Sequence, residues 1–377
     1  MKSDLAQSFM LDFAQSTGVV GDAKPRRYLW TDAFAVCNFL GLHRATGEDR
    51  FLQLARTLVE QVHHVLGRHR EDDARRGWIS GLSEEQGERH PTIGGLRIGK
   101  KLNERGPHDP FDSQLEWDRD GQYFHYLTKW MHALARVAEE TGEPHELRWA
   151  GELADTAQRA FTVEGAAGVP QRMVWKMSID LRRPLVPSMG RHDPLDGLVT
   201  ALELQTSGEY EACGGPDLSP AIADFSGMCE HGRWATDDPL GIGGLLDTAA
   251  RLLRMEFDRR VDQPILLRQL LKESEQSLLA FVRSGRLTRP AACRLAFRDL
   301  GLAVGLRGLE LVTEELQPAG DLAPVIQRLQ QYRGLAEKVS TFWSDAPNRG
   351  NAMWTGHGDI NTVMLATSLA PEGYFGM

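Results

Sequence analysis

The chain has 377 residues and carries 43 Lys and Arg against 52 Asp and Glu, a formal net charge of −9. An acidic surface repels nucleic-acid phosphate, and 25% charged with 41% hydrophobic residues excludes a disordered chain and a membrane-spanning one. Acids at Asp4 and Asp12 argue against a secretory leader, and the dispersed Cys37, Cys213, Cys229 and Cys293 suit reduced thiols, so a cytoplasmic location is expected.

Taken in chain order, the apolar spacing is helical almost throughout. Ser3–Gln15 carries Leu5, Phe9, Met10 and Phe13 on one stripe, and a helix should begin near Trp30. Asp49–Gly67 places Phe51, Leu54, Ala55, Leu58 and Val62 on one face, with His63, His64 and His69 expected on its solvated face and end. Helices follow over Tyr126–Glu140, Glu146–Phe161, Asp196–Leu204, Ser219–Glu230, Leu245–Met255, Pro264–Val282, Leu295–Val312 and Pro324–Phe342, and a last one starts near Gly358. No succession of strands is expected.

An internal repeat groups these helices. Ala45-Thr-Gly-Glu48 is followed by Ala55 and Leu58, and Glu140-Thr-Gly-Glu143 by Ala150 and Leu153, at the same offsets. Gly47 and Gly142 would end one helix in a left-handed turn before the next begins. Six first helices and five second ones, with the N-terminal segment as the twelfth, predict a single domain over residues 1–377: an all-α (α/α)6 toroid with long mouth loops at 68–115 and 162–191. The Thr-Gly-Glu turns followed by Phe/Leu-x-x-Leu-Ala, and Thr355-Gly-His-Gly-Asp-Ile-Asn361 at the last helix, resemble the six-hairpin glycosidase superfamily, which includes unsaturated glucuronyl hydrolases and N-acylglucosamine 2-epimerases. That resemblance implies a toroid and a small-molecule saccharide as partner.

The segments entering the first helices are the most polar and aromatic of the chain. They include Tyr28-Leu-Trp-Thr-Asp32, Glu116-Trp-Asp-Arg-Asp-Gly-Gln-Tyr-Phe-His125, Gly190-Arg-His-Asp-Pro-Leu-Asp196 and Trp354-Thr-Gly-His-Gly-Asp359. Flat rings beside carboxylates suit a sugar, whereas helix capping alone does not call for Trp, acid and His together. Acetal hydrolysis needs an acid and a base or nucleophile, which assigns Asp120 or Asp118 as the acid and Asp359 or Asp32 as its partner, with Asp196 behind them. A second reading is a sugar 2-epimerase or isomerase using His192 and His357, since an imidazole titrates near neutrality. A third is a toroid that binds saccharide or protein without catalysis. Trp30, Trp117, Tyr123, His125, Trp354 and Trp78 would line the sugar. Arg97, Lys100, Lys101 and Arg105 form a Gly-rich basic strip that would suit an anionic saccharide.

Cys213, Cys229 and His231 have the residue types of a zinc site, but Cys229-Glu-His-Gly232 lacks the Cys-His-Gly run of the lanthionine cyclase toroids, so no metal is expected. No phosphate-binding, dinucleotide-binding, zincin or serine-nucleophile motif occurs, so no cofactor is expected.

Overall fold

A computed structural model describes residues 2–165, 170–188, 190–230, 232–318 and 320–376. Among them, no helix is long and apolar enough to cross a membrane. The chain divides into two compact units, one of residues 14–40 and 49–232, the other of 1–13, 41–48 and 233–377.

In the first unit, the helix Asp49–Leu66 buries Phe51, Ala55, Leu58, Val59, Val62, His63 and Leu66 along one stripe. His63 is therefore not on the solvated face: it falls on the apolar stripe at the helical spacing, and its Nε2 accepts from Trp130 Nε1 at 3.2 Å. Burial first, then the charges of His64 and His145, hold its imidazole down to about 3, so it is a neutral core residue. Next come the helix Phe124–Thr141, buried on all faces from Leu127 to Ala138, and its partner Pro144–Phe161. Gly142 ends the former at φ 70°, and Gly47 has φ 71° in the matching turn. Ala55, Leu58, Ala150 and Leu153 are all fully buried, as their equivalent places in the repeat require. The helices Asp193–Gln205 and Ser219–Cys229 complete this unit.

The long connection at 68–115 is packed down, not free. Leu96 and Ile98 are fully buried, Ile98 N–H donates to Gly121 O, and its carbonyl accepts from Leu29 N–H. A run of Leu-x-Ile spacing therefore serves as a wedge between helix entrances. The connection at 162–191 departs from the strand-free expectation. It holds a two-stranded sheet, Thr162–Glu164 with Pro170–Met173, and a three-stranded one in which Gln122–Tyr123, Lys176–Met177 and Pro184–Val186 lie in that order, all antiparallel. Residues 166–169 and 189 of that predicted loop lie outside the described residues. Strands of two to four residues leave no readable alternation.

In the second unit, the helices Pro239–Phe257 and Ala296–Leu316 pack closely because glycines face each other. A Cβ on Gly243 would lie 2.1 Å from Gly301 O, and one on Gly305 would lie 2.2 Å from Gly243 O. Pro264–Arg283 is one helix, but the span expected over Pro324–Phe342 is two, Ala323–Gln330 and Arg333–Ser344. The helix expected as the last runs Gly358–Leu369 behind the single turn Ala352–Thr355, and one further turn, Glu372–Phe375, follows it.

Candidate functional site

The first unit gathers an aromatic wall at the entrances of two of its helices. Tyr28 and Tyr126 share a hydroxyl hydrogen bond of 2.6 Å, and their rings meet edge to face at 5.5 Å. Trp30 lies 6.5 Å from Tyr126, Tyr123 lies 5.2 Å from it, and His125 stacks beside Tyr123 at 5.3 Å. Trp175 continues the wall 6.2 Å from His125, and Trp117 ends it 5.2 Å further on, half-exposed. The sequence pointed to Trp30, Trp117, Tyr123 and His125, and these do come together. Tyr28 and Trp175 join them, the latter delivered by the short strands.

The acids at these entrances differ in state. Asp120 is fully buried and saturated: one oxygen accepts from Gly99 and Gly121 N–H, the other from Arg97 at 2.5 Å and Arg70 at 3.3 Å. It does not cap the Phe124–Thr141 helix, whose N-cap is Tyr123. Asp118 is exposed on the same turn. Asp32, buried in the first turn of Leu29–Thr46, accepts from Tyr28 N–H at 2.8 Å and faces Arg27 at 3.6 Å.

The basic strip is largely used up by the fold. Arg97 also donates to the carbonyls of Arg68 and Val65, and Arg105 donates to Glu116 and the carbonyl of Leu185. Lys100 sits with its ammonium 5.2 Å from the Tyr28 ring, beside the wall, while Lys101 is exposed. Trp78 is buried under the Arg68 guanidinium at 4.3 Å and belongs to neither wall nor acids. Lys176, wholly buried, donates to the carbonyls of Glu116 and Arg119 and to the Glu116 carboxylate, pinning the turn that presents Tyr123.

The group that sequence reasoning passed over is Asp193. It is 3% exposed at the start of Asp193–Gln205, one turn before Asp196, and its Oδ2 has no hydrogen-bond partner. Its Oδ1 lies 3.8 Å from His125 Nδ1, which is also without a partner. Burial, and then the charge of Asp196, push the Asp193 carboxyl up to about 8, whereas burial and Lys129 hold His125 down to about 3. A neutral carboxylic acid therefore stands beside a neutral imidazole at neutral pH. The available signal was Asp-Pro at a helix start within an aromatic-rich set of entrances, and it reads equally well as a plain helix beginning. His192, half-buried, is the N-cap residue of this helix.

In the other unit, Trp354 is buried and stacked 5.7 Å from Trp343. His357 is exposed, its ring edge-on to Phe297 at 5.5 Å, and Asp359 is half-buried in the first turn of Gly358–Leu369. Cys213 and Cys229 are buried thiols, and His231 lies outside the described residues.

No protein-family model matches this sequence, and no curated protein matches it. Solved structures do. An alpha-1,6-mannanase, GH76A of a Salegentibacter species, is 10% identical with a TM-score of 0.58, covering 98% of this chain and 99% of its own. An inactive variant of that enzyme in complex with alpha-1,6-mannotriose gives 11% and 0.57 over the same shares. A cellobiose 2-epimerase from Spirochaeta thermophila is 12% identical with a TM-score of 0.52, covering 98% of this chain and 96% of its own. At such identity the likeness carries the fold alone: the chain is all-α, with an (α/α)6 toroid fold.

Proposed function

We propose that this chain is a carbohydrate-active enzyme, a glycoside hydrolase that binds a saccharide against the wall running from Trp30 to Trp117 and protonates the glycosidic oxygen from Asp193. The observation that carries the reading is Asp193 itself: a buried carboxyl that keeps its proton near neutral pH, with an unpartnered oxygen, beside stacked rings. Acid-assisted acetal cleavage requires a carboxyl that keeps its proton until the leaving oxygen takes it. Here Asp193 gives its proton to the leaving oxygen as the C–O bond breaks, Asp196, one turn on, supplies the negative charge that stabilises positive charge at the anomeric carbon, and water adds to that carbon, its released proton restoring Asp193. His125 Nδ1 is left to bond a sugar hydroxyl. Asp120 is set aside as the acid because Arg97, Arg70 and two backbone amides already occupy its oxygens. With Arg97 and Arg105 also engaged, the wall favours a neutral saccharide over an anionic one.

The likeness to a mannanase and to a cellobiose 2-epimerase supports a saccharide substrate and leaves two chemistries to compare. Proton removal at C2 needs an imidazole that takes up a proton near neutrality; His125, held near 3, is too weak a base, so an epimerase would have to use His192 and His357, which belong to different units. The test is turnover of alpha-1,6-mannotriose, cellobiose and a panel of other neutral oligosaccharides. New reducing ends should appear with the native chain and be lost in Asp193→Asn while circular dichroism stays unchanged. Solvent deuterium at C2 without cleavage, or cleavage undiminished in Asp193→Asn, would overturn the hydrolase assignment.

A further inference from the structure

A second cluster of chemistry lies in the same unit, among residues that the saccharide reading does not use. The Pro144–Phe161 helix begins Glu143-Pro144-His145-Glu146, with Glu143 as its N-cap residue. One donor atom from each of Glu143, His145 and Glu146 lies within 4.8 Å of the other two. The three line a cavity of about 250 Å³ whose walls include His63, His64, Trp78 and Trp149.

Two features of this cluster are left unsatisfied by the protein alone. Glu146, a residue of the cavity wall, is 5% exposed, yet its Oε2 has no hydrogen-bond partner. A buried carboxylate oxygen without a donor is costly unless something cationic faces it. His145 lies between two carboxylates, its Nδ1 3.4 Å from Glu143 Oε2 and its Nε2 3.2 Å from Glu146 Oε1. A neutral imidazole has one N–H, so one of these contacts sets a nitrogen lone pair against an oxygen.

We propose that this cavity holds a divalent transition-metal cation, zinc in character, ligated by Glu143, His145 and Glu146. One nitrogen and two carboxylate oxygens suit zinc better than calcium or magnesium, which prefer oxygen alone, and three protein ligands leave an open position toward the cavity. Arg56 holds Glu143 by Oε1 at 2.6 Å, which leaves Oε2 on the His145 side available. The positive end of the helix and Arg56 both oppose a cation here, so neither carboxylate can be spared.

The full-length chain, stripped with EDTA and titrated with zinc chloride by calorimetry, should bind one equivalent. Glu146→Gln and His145→Ala should each weaken binding by about tenfold or more. Both should also abolish the rise in Tm that zinc gives the native chain. Glu146→Gln is isosteric and removes a buried charge, so it should fold, and its metal-free Tm checks that it does. No saturable binding, or binding equal in both variants and the native chain, would overturn the proposal. The alternative occupant is a proton on Glu146. It would show as no zinc effect together with a Glu146→Gln variant at least as stable as the native chain, and that result would overturn the proposal too.

Discussion

Asp120 and Asp193 are buried carboxylates at the entrances of neighbouring helices, and the chain provides for them in opposite ways. Around Asp120 it supplies two guanidinium groups and two backbone amides, so the charge is neutralised and every oxygen is used. Around Asp193 it supplies Asp196, a neutral imidazole and apolar surroundings, so the group keeps a proton and an oxygen remains unmatched. The first arrangement fixes a loop. The second leaves a carboxyl oxygen open to a ligand, and a fold has no structural need to keep a carboxyl in that condition.

The contrast can be broken most sharply by activity. Asp193→Asn should lower hydrolysis by about 10²–10⁴-fold, the usual worth of a general acid, measured as reducing ends released. Stability should show the reverse. Asp120→Asn removes one partner of a buried ion cluster, and urea unfolding should record a loss of about 3–5 kcal/mol. Asp193→Asn should instead gain stability above pH 8, because the native carboxyl resists an ionisation that the unfolded chain undergoes near pH 4.

The sign of that last effect depends on pH. The folded value of Asp193 is raised, so its contribution to stability is complete below about pH 4 and is lost as pH rises through about 8. The gain from Asp193→Asn should therefore vanish toward pH 4. His63 and His125 act oppositely: their folded values are depressed, so the stability they contribute is present above about pH 6.5 and is lost as pH falls toward 3. Unfolding midpoints of the native chain, His63→Ala and Asp193→Asn between pH 4 and 9 separate the two slopes. Smaller effects belong to the wall. Tyr126→Phe should cost about 1 kcal/mol through the lost hydroxyl bond to Tyr28. Trp117→Ala should raise KM a few-fold at unchanged kcat and stability, because the half-exposed ring offers a sugar a face and the fold very little.

Much of the fold was legible because helical periodicity is local. The stripe of Asp49–Leu66, the Thr-Gly-Glu turns and the matched Ala and Leu positions all depend on neighbours within a turn or two. The break near Gln331 and the five short strands were not, since they depend on tertiary packing and span too few residues to show a period. The aromatic wall was half legible: Trp and Tyr beside acids marked the right entrances, but Trp175 reaches the wall only through strand pairing. The roles of the acids were not legible at all. Asp120 and Asp193 look alike in a sequence, and what sets them apart is largely distant in it: Arg97 and Arg70 beside the one, His125 beside the other. The pairing of the basic strip was hidden for the same reason, because its partners Asp120 and Glu116 come from later in the chain.

The second unit draws its opening helix from one end of the chain and its remaining helices from the other. Lys2 pairs with Glu337 across 335 positions, Arg349 lies 4.9 Å from the Phe9 ring, and a Cβ on Gly41 would meet the backbone of Gly373 at 2.8 Å. On a ribosome, the helix Lys2–Ser16 is made long before these neighbours and meets Glu337 and Arg349 only after every residue of the other unit has been made. The contact between Phe9 and Arg349 therefore forms only once nearly the whole of both units has been made, so this helix docks late however early it coils.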